Sequence, residues 1–475
     1  MSTGLTSRAR EVINCRAVPT PAPSVSRRGL TVGLFTAMVA IAFEAISVAT
    51  AMPAAASALN GLRLYAWAFS LFLIGMLFAT VASGRLADRK GPARPMLLGL
   101  GLFALGLVVA ATARSMPQLI GGRLIQGLGS GTMSVAIYVC IARVYDPEQR
   151  PRMFSYISTA WVLPSFVGPP IAAYLTHRLG WQWVFLAVLP LLALASFMVV
   201  PSLLQLMRTP SVEPDTSTSR KPAALWAGGL AALGAASLQF AGQRPEGSAL
   251  LFAGLGVGLL GASLPNLMPE RFFQLARGLP SVIVVRALLA GAFFGAEAFV
   301  PLMLVKQRGL PLLLAGGVLT IGALGWTAGS WVQARPRFTL RRDRIITLGT
   351  GFLVLGLGLT TLTSWLPWLW VGLVAFSWVL GGLGMGLSVA STSLAVMTVS
   401  PVAEQGRNAS SLQLGEALGS SLFIGLAGSI FNGLQPGGDL TVAFGAVLAV
   451  MTGVAVISLC LSLRIGRIVD EPGAG

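Results

Sequence analysis

The chain has 475 residues, of which 55% are hydrophobic and only 10% charged, with a formal net charge of +17. Soluble domains carry about 25% charged residues, so a mean hydropathy of +0.78 excludes a soluble protein and predicts an all-α, polytopic membrane protein. The basic excess does not indicate nucleic acid, because the basic residues are sorted by topology.

The first 29 residues are rich in Ser, Pro, Thr and Arg and read as a disordered cytoplasmic tail. Apolar runs long enough to cross a bilayer, about 20 residues each, then fall at 30–53, 65–84, 95–113, 117–141, 153–176, 181–205, 223–243, 249–268, 280–304, 312–334, 345–364, 367–396, 409–432 and 440–463. The first is too long for a cleaved signal peptide and carries Glu44, so an uncleaved helix is expected. Fourteen helices put both termini on one side. With the N-terminus in the cytoplasm, 25 of the 33 basic residues fall in cytoplasmic segments. Six fall in outer loops, and Arg123 and Arg286 lie inside spans. This asymmetry obeys the positive-inside rule and orients the chain in a cell membrane.

The spans group as six, two and six. A first bundle covers 30–205. A polar stretch at 206–222, with Pro210, Glu213, Pro214 and Asp215, reads as a cytoplasmic linker. A helix pair at 223–268 turns at Arg244-Pro245-Glu246-Gly247. A second bundle covers 269–467, and 468–475 is a short cytoplasmic tail. The two sixes read as internal repeats. Each opens with an acid before Ala and a later proline: Glu44-Ala45 with Pro53, and Glu297-Ala298 with Pro301. Each has a basic loop after its second helix, Arg85 to Arg94 and Arg335 to Arg344. Repeats of this kind place a substrate site at their interface near the midplane.

The loop Gly84-Arg85-Leu86-Ala87-Asp88-Arg89-Lys90-Gly91-Pro92-Ala93-Arg94 joins the second and third spans. Its Gly-x-Leu-Ala-Asp-Arg-x-Gly-x-x-Arg pattern resembles the signature loop of the major facilitator superfamily of secondary transporters. Four other segments support the resemblance. Gly122-Arg123-Leu124-Ile125-Gln126-Gly127-Leu128-Gly129 is similar to the family's helix-4 motif. Gly168-Pro169 matches the centre of its antiporter motif in helix 5, although Pro164, Ala172 and Ala173 stand where that motif has glycine. Gly180-Trp181-Gln182-Trp183 resembles the entry to helix 6. Phe43-Glu44-Ala45 through Pro53 resembles helix 1 of fourteen-helix drug:proton antiporters. The resemblance implies the major facilitator fold, two six-helix bundles plus two inserted helices. It also implies that Asp88 meets the positive N-terminal end of helix 13, near Asn408. Arg89 and Arg94 would complete that gate, with Gly84 and Gly91 allowing a tight turn and close approach.

Glu44 and Arg123 sit at comparable depth. An intramembrane charge costs about 2.5–3.5 kcal/mol on insertion scales, so the two are expected to pair and to carry proton coupling. Gln126 lies one turn from Arg123 on the same face. Glu297 is a second candidate for proton coupling or a counter-charge for a cationic substrate. Trp161, Trp326 and Glu416 are candidate cavity residues together with Gln126.

Enzyme chemistry has no support. Lys90, Lys221 and Lys306 are the lysines, preceded by Arg89, Arg220 and Val305, so no Gly-Lys-Ser/Thr phosphate loop exists. Cys15, Cys140 and Cys460 are far apart and suggest neither a disulfide framework nor a metal site. His177 reads as a loop residue, and Gly382-Leu383-Gly384-Met385-Gly386 as a close helix contact. No cofactor is expected. The sequence reads as a monomeric, proton-coupled exporter of lipophilic small molecules, cations among them. The alternatives are a dedicated exporter of one native metabolite or lipid, or a non-transporting membrane sensor.

Overall fold

The structure, a computed structural model, describes residues 27–146, 149, 153, 156, 157, 159–208, 225–242, 248–335, 340–401, 404–435 and 439–468. The tail 1–26, most of the linker, the end 469–475 and the side chain of Asp88 lie outside the described residues. A helix stands at each of the fourteen expected places. In the N-terminal half these are α1 (Arg27–Ala58), α2 (Trp67–Lys90), α3 (Ala93–Ala111), α4 (Met116–Val144), α5 (Val162–Arg178) and α6 (Gln182–Met207). A pair follows, α7 (Leu225–Ala241) and α8 (Ser248–Leu267). The C-terminal half holds α9 (Leu279–Lys306), α10 (Leu312–Ala334), α11 (Arg342–Trp365), α12 (Gly372–Val399), α13 (Gln405–Leu434) and α14 (Leu440–Ser462). Twelve of these are long and apolar enough to cross a membrane. The described parts of α5 and α7 are 17 residues each.

Two boundaries differ from the sequence reading. α2 continues to Lys90, because residues 85–90 include the good helix formers Arg, Leu, Ala and Lys. Gly91 then stops it at φ +75°, with its N–H donating to Ala87 O at 3.0 Å. The expected long loop is therefore a two-residue turn, and Gly84 lies inside a helix. α1 likewise runs through Pro53 to Ala58. It ends where Asn60 takes φ +50° and Gly61 N–H donates to Ala56 O at 2.8 Å.

The halves pack by the same scheme. In the first, α4 lies against α2 and α3, and α1 against α5 and α6. In the second, α12 lies against α10 and α11, and α9 against α13 and α14. Apolar side chains give no driving force between helices in lipid, so close approach through small residues holds such bundles. Gly127 of α4 is pressed on the carbonyl oxygen of Phe72 in α2. At the corresponding crossing, Gly382 of α12 is pressed on the carbonyl oxygen of Gly322 in α10. A Cβ at either place would collide with backbone. Gly127→Val is accordingly expected to cost about 1–3 kcal/mol, read as a fall of several degrees in melting temperature in detergent. An unchanged melting temperature would contradict the close approach.

The bundles meet along two equivalent seams, α2 with α13 and α5 with α10. At the end away from the α2–α3 turn, Tyr65 Oη donates to Ala298 O at 2.8 Å and Asn432 Nδ2 donates to Arg63 O at 2.6 Å. The rings of Tyr65 and Phe299 lie 5.4 Å apart. At the other end, no atom of a described residue, beyond the neighbouring backbone of α2 itself, lies within 4 Å of where a Cβ on Gly84 would stand. α7 bridges the first seam, packing on both α2 and α13, while α8 rests mainly on α7 and exposes Leu250, Leu251 and Val257.

Candidate functional site

Glu44, at mid-length in α1, is 0% exposed and Arg123 of α4 is 2% exposed. Arg123 Nη1 donates to Glu44 Oε1 and to Gln126 Oε1 at 2.6 Å. Its Nε donates to Ala68 O of α2 at 2.9 Å, and the guanidinium lies 4.3 Å from the centroid of Phe72. One arginine thus ties three helices, and a fork of five donors is the group suited to that task. The second carboxylate oxygen of Glu44 has no hydrogen-bond partner among the described residues. The same holds for Gln126 Nε2, Ser47 Oγ, Thr50 Oγ1 and Ser130 Oγ. Ser47 and Thr50 continue from Glu44 at three-residue steps along one face of α1. Thr50 lies against Gly316 of α10, so this row of polar groups reaches the α5–α10 seam.

The C-terminal half holds a second pair that the sequence reading did not assemble. Arg286 of α9 donates to Glu416 Oε2 of α13 at 2.7 Å, to Thr392 Oγ1 at 2.9 Å and to Val389 O at 2.6 Å. It joins α9, α12 and α13. Glu416, expected as a cavity residue, is thus also a paired acid, with its side chain 25% exposed. The signal was present: an arginine in one span and a glutamate in another each require a partner in lipid.

Glu297 stands apart from both pairs. It is half-buried, and no hydrogen bond from a described residue reaches its carboxylate. One turn before it on α9 are Phe293 and Phe294. Their rings meet Trp326 at centroid distances of 5.6 and 6.4 Å, and Phe293 stacks on Trp378 at 5.4 Å. Trp326 is half-buried in this group. Trp161 is not brought to it; it stands at the N-cap of α5 and is 42% exposed.

The sequence profile of the Major Facilitator Superfamily matches residues 32–424. The chain belongs to the Major Facilitator Superfamily. It is 26% identical over 436 residues to a "Probable multidrug-efflux transporter" of Mycobacterium tuberculosis (strain H37Rv), covering 84% of this chain and 86% of the relative. It is 26% identical over 420 residues to the "Multidrug transporter protein MdtP" of Bacillus subtilis (strain 168), covering 86% and 76%. Among solved structures, a POT family transporter in complex with a thioalcohol-conjugated peptide aligns at a TM-score of 0.67. That alignment has 16% identity and covers 92% of this chain and 96% of that one; it speaks to the fold alone. The protein is a multi-pass membrane transporter of small molecules and not an enzyme.

The superfamily's signature residues occupy the α2–α3 corner. Gly84, the Asp88 backbone and Arg89 lie on the last two turns of α2, Gly91 forms the turn, and Arg94 begins α3. Arg89 and Arg94 are exposed. Arg143 of α4 donates to Ala87 O at 3.2 Å and braces this corner. Gly168 and Pro169 of α5 sit beside the N-terminal site. A Cβ on Gly168 would stand 3.0 Å from Ser47 Oγ, and Pro169 lies against Gly316 across the seam.

Proposed function

We propose that this transporter is a proton-coupled exporter of lipophilic small molecules, cations included, working by alternating access. The observation that carries the reading is the Glu44–Arg123 pair, a fully buried acid and base near the midplane. Its free carboxylate oxygen continues into polar groups that run to the seam between the bundles. The names of the relatives in Mycobacterium tuberculosis and Bacillus subtilis support drug efflux.

In this reading the basic face is cytoplasmic and the cavity opens toward it, since the bundles are tied at the opposite end. A proton arriving at Glu44 neutralises the carboxylate and releases Arg123 to Gln126 and Ala68 O. The hold of α4 on α1 then weakens and the bundles rock. When they close at the basic face, Asp88 approaches the N-terminus of α13 near Asn408, where the helix dipole favours an acid. Arg89 and Arg94 flank it, and Gly84 leaves room for the approach. Gly168 and Pro169 set the α5–α10 seam about which the halves move. Glu297, beside the Phe293–Phe294–Trp326 group, receives the cationic substrate, because a cation is attracted both by a carboxylate and by aromatic faces. One proton crossing 100 mV releases about 2.3 kcal/mol, and one pH unit adds about 1.4 kcal/mol. Together these hold a neutral substrate gradient of roughly a few hundredfold, since each 1.4 kcal/mol is tenfold.

The test is proton efflux from acidified inside-out vesicles challenged with lipophilic cations and neutral drugs. Wild-type protein is expected to release protons on substrate addition, and Glu44→Gln to abolish that release while still binding substrate. Coupled efflux in Glu44→Gln equal to wild type would remove Glu44 from the mechanism. A wild type silent to the whole panel would favour a dedicated metabolite exporter.

A further inference from the structure

On the basic face, at the end of the C-terminal bundle, the loop before α9, the start of α11 and the segment after α14 enclose a hollow of about 550 Å³. Five arginines line it: Arg277, Arg341, Arg344, Arg464 and Arg467. The one acid in its wall, Asp343, is already engaged. It accepts from Arg341 Nε at 3.1 Å and Nη2 at 2.5 Å, and from the backbone N–H of Ile468 at 3.4 Å. Arg277, Arg344, Arg464 and Arg467 have no acid partner among the described residues, so among those residues the hollow carries four unpaired positive charges.

The arginines are presented by a fixed frame rather than by a loose tail. After α14 the chain alternates. Ile465 and Ile468 are buried, whereas Arg464 and Arg467 point outward and are exposed. Gly466 makes the bend at φ +88°. Gly278 N–H donates to Ile465 O at 3.0 Å and Ser462 Oγ donates to Thr347 Oγ1 at 3.0 Å, fastening the segment to the start of α9 and to α11. The wall is not entirely polar. Leu348 and Leu463 line it as well and are 42% and 72% exposed. A guanidinium cluster with apolar surface at its rim, at the depth of a membrane interface, matches a phosphate group carried on acyl chains. Arginine suits phosphate because its planar fork donates two parallel hydrogen bonds, and basic pockets between helices at this depth take lipid headgroups.

We propose that this hollow is a binding site for a phosphate anion, supplied by the headgroup of an anionic phospholipid in the leaflet on that face. The exposed Leu348 and Leu463 favour the lipid over free phosphate. The site lies at the bundle's end, away from Glu44, Glu297 and the α2–α3 corner, so its loss leaves substrate binding in place.

The test uses the full-length protein in nanodiscs and in detergent, with bound lipid counted by native mass spectrometry and melting temperature followed in parallel. The probes are phosphatidylglycerol, phosphatidylcholine and inorganic phosphate. Phosphatidylglycerol is expected to bind and to raise the melting temperature, and phosphatidylcholine to do neither. Arg344→Gln with Arg464→Gln is expected to weaken phosphatidylglycerol binding by about 25-fold, taking about fivefold for each basic residue at an anionic surface. Arg344→Lys with Arg464→Lys keeps the charge and is expected to retain most of the binding, which separates loss of the site from loss of the fold. The measurements are repeated with Asp470→Asn and Glu471→Gln, so that these two acids, outside the described residues, do not compete. Equal stabilisation by inorganic phosphate with the same arginine dependence would make free phosphate the ligand and overturn the lipid source. Phosphatidylglycerol binding by the Gln variant equal to wild type would overturn the site.

Discussion

Arg123→Leu is expected to lower the stability of the folded transporter by about 3–5 kcal/mol, the ordinary consequence of leaving one half of a buried ion pair behind. The orphan would be Glu44, which is wholly buried and whose other oxygen has no partner among the described residues. Three further contacts go with the guanidinium: the Ala68 carbonyl, Gln126 and the face of Phe72. The expected signs are loss of monodisperse protein in detergent and a large drop in melting temperature. Glu44→Gln combined with Arg123→Leu should recover much of the loss, because removing both charges of a buried pair is often neutral. A double variant no more stable than Arg123→Leu would mean that the other contacts, rather than the ion pair, hold α4 in place.

Glu297→Gln is expected to leave the fold intact and change what is carried. Its carboxylate holds no hydrogen bond from a described residue, so neutralising it breaks no internal pair. Lipophilic cations should be transported at least tenfold less well, while neutral compounds of the same size are unaffected. Truncating one partner of a desolvated charge pair costs about 2–5 kcal/mol, and 1.4 kcal/mol is already tenfold. Transport assays with matched cationic and neutral substrates read the difference. An equal loss for both classes would assign Glu297 to coupling rather than to substrate charge.

The fold was legible because lipid imposes strong rules on sequence. Runs of apolar residues had to be helices, since backbone groups find no partners in hydrocarbon. The repeat was visible in Glu44 with Pro53 and Glu297 with Pro301, and the equal packing of the two halves is its spatial form. The Glu44–Arg123 contact followed from their comparable depth and the cost of leaving either charge unpaired in lipid. Two things were hidden. Arg286 and Glu416 are 130 residues apart, and nothing local says that α9 and α13 touch there. The helical state of residues 84–90 was masked by their charges, which read as loop although most of them favour a helix. Trp161 illustrates the same limit. Its position in an apolar run was plain, but which side of α5 it would occupy depended on the packing of α5 against α1 and α10.

The α7–α8 pair is attached to both halves. α7 lies on α2 and on α13 at once, with Gly228 against Val81 on one side and Gly242 against Ser429 on the other. Any relative rotation of the halves must therefore shear these contacts or carry the hairpin along. In the rocking cycle proposed above, α8, with Leu250, Leu251 and Leu255 facing outward, would be swept through the surrounding acyl chains. On that cycle, transport is expected to slow as bilayer viscosity rises, the bilayer acting as a brake as well as an insulator.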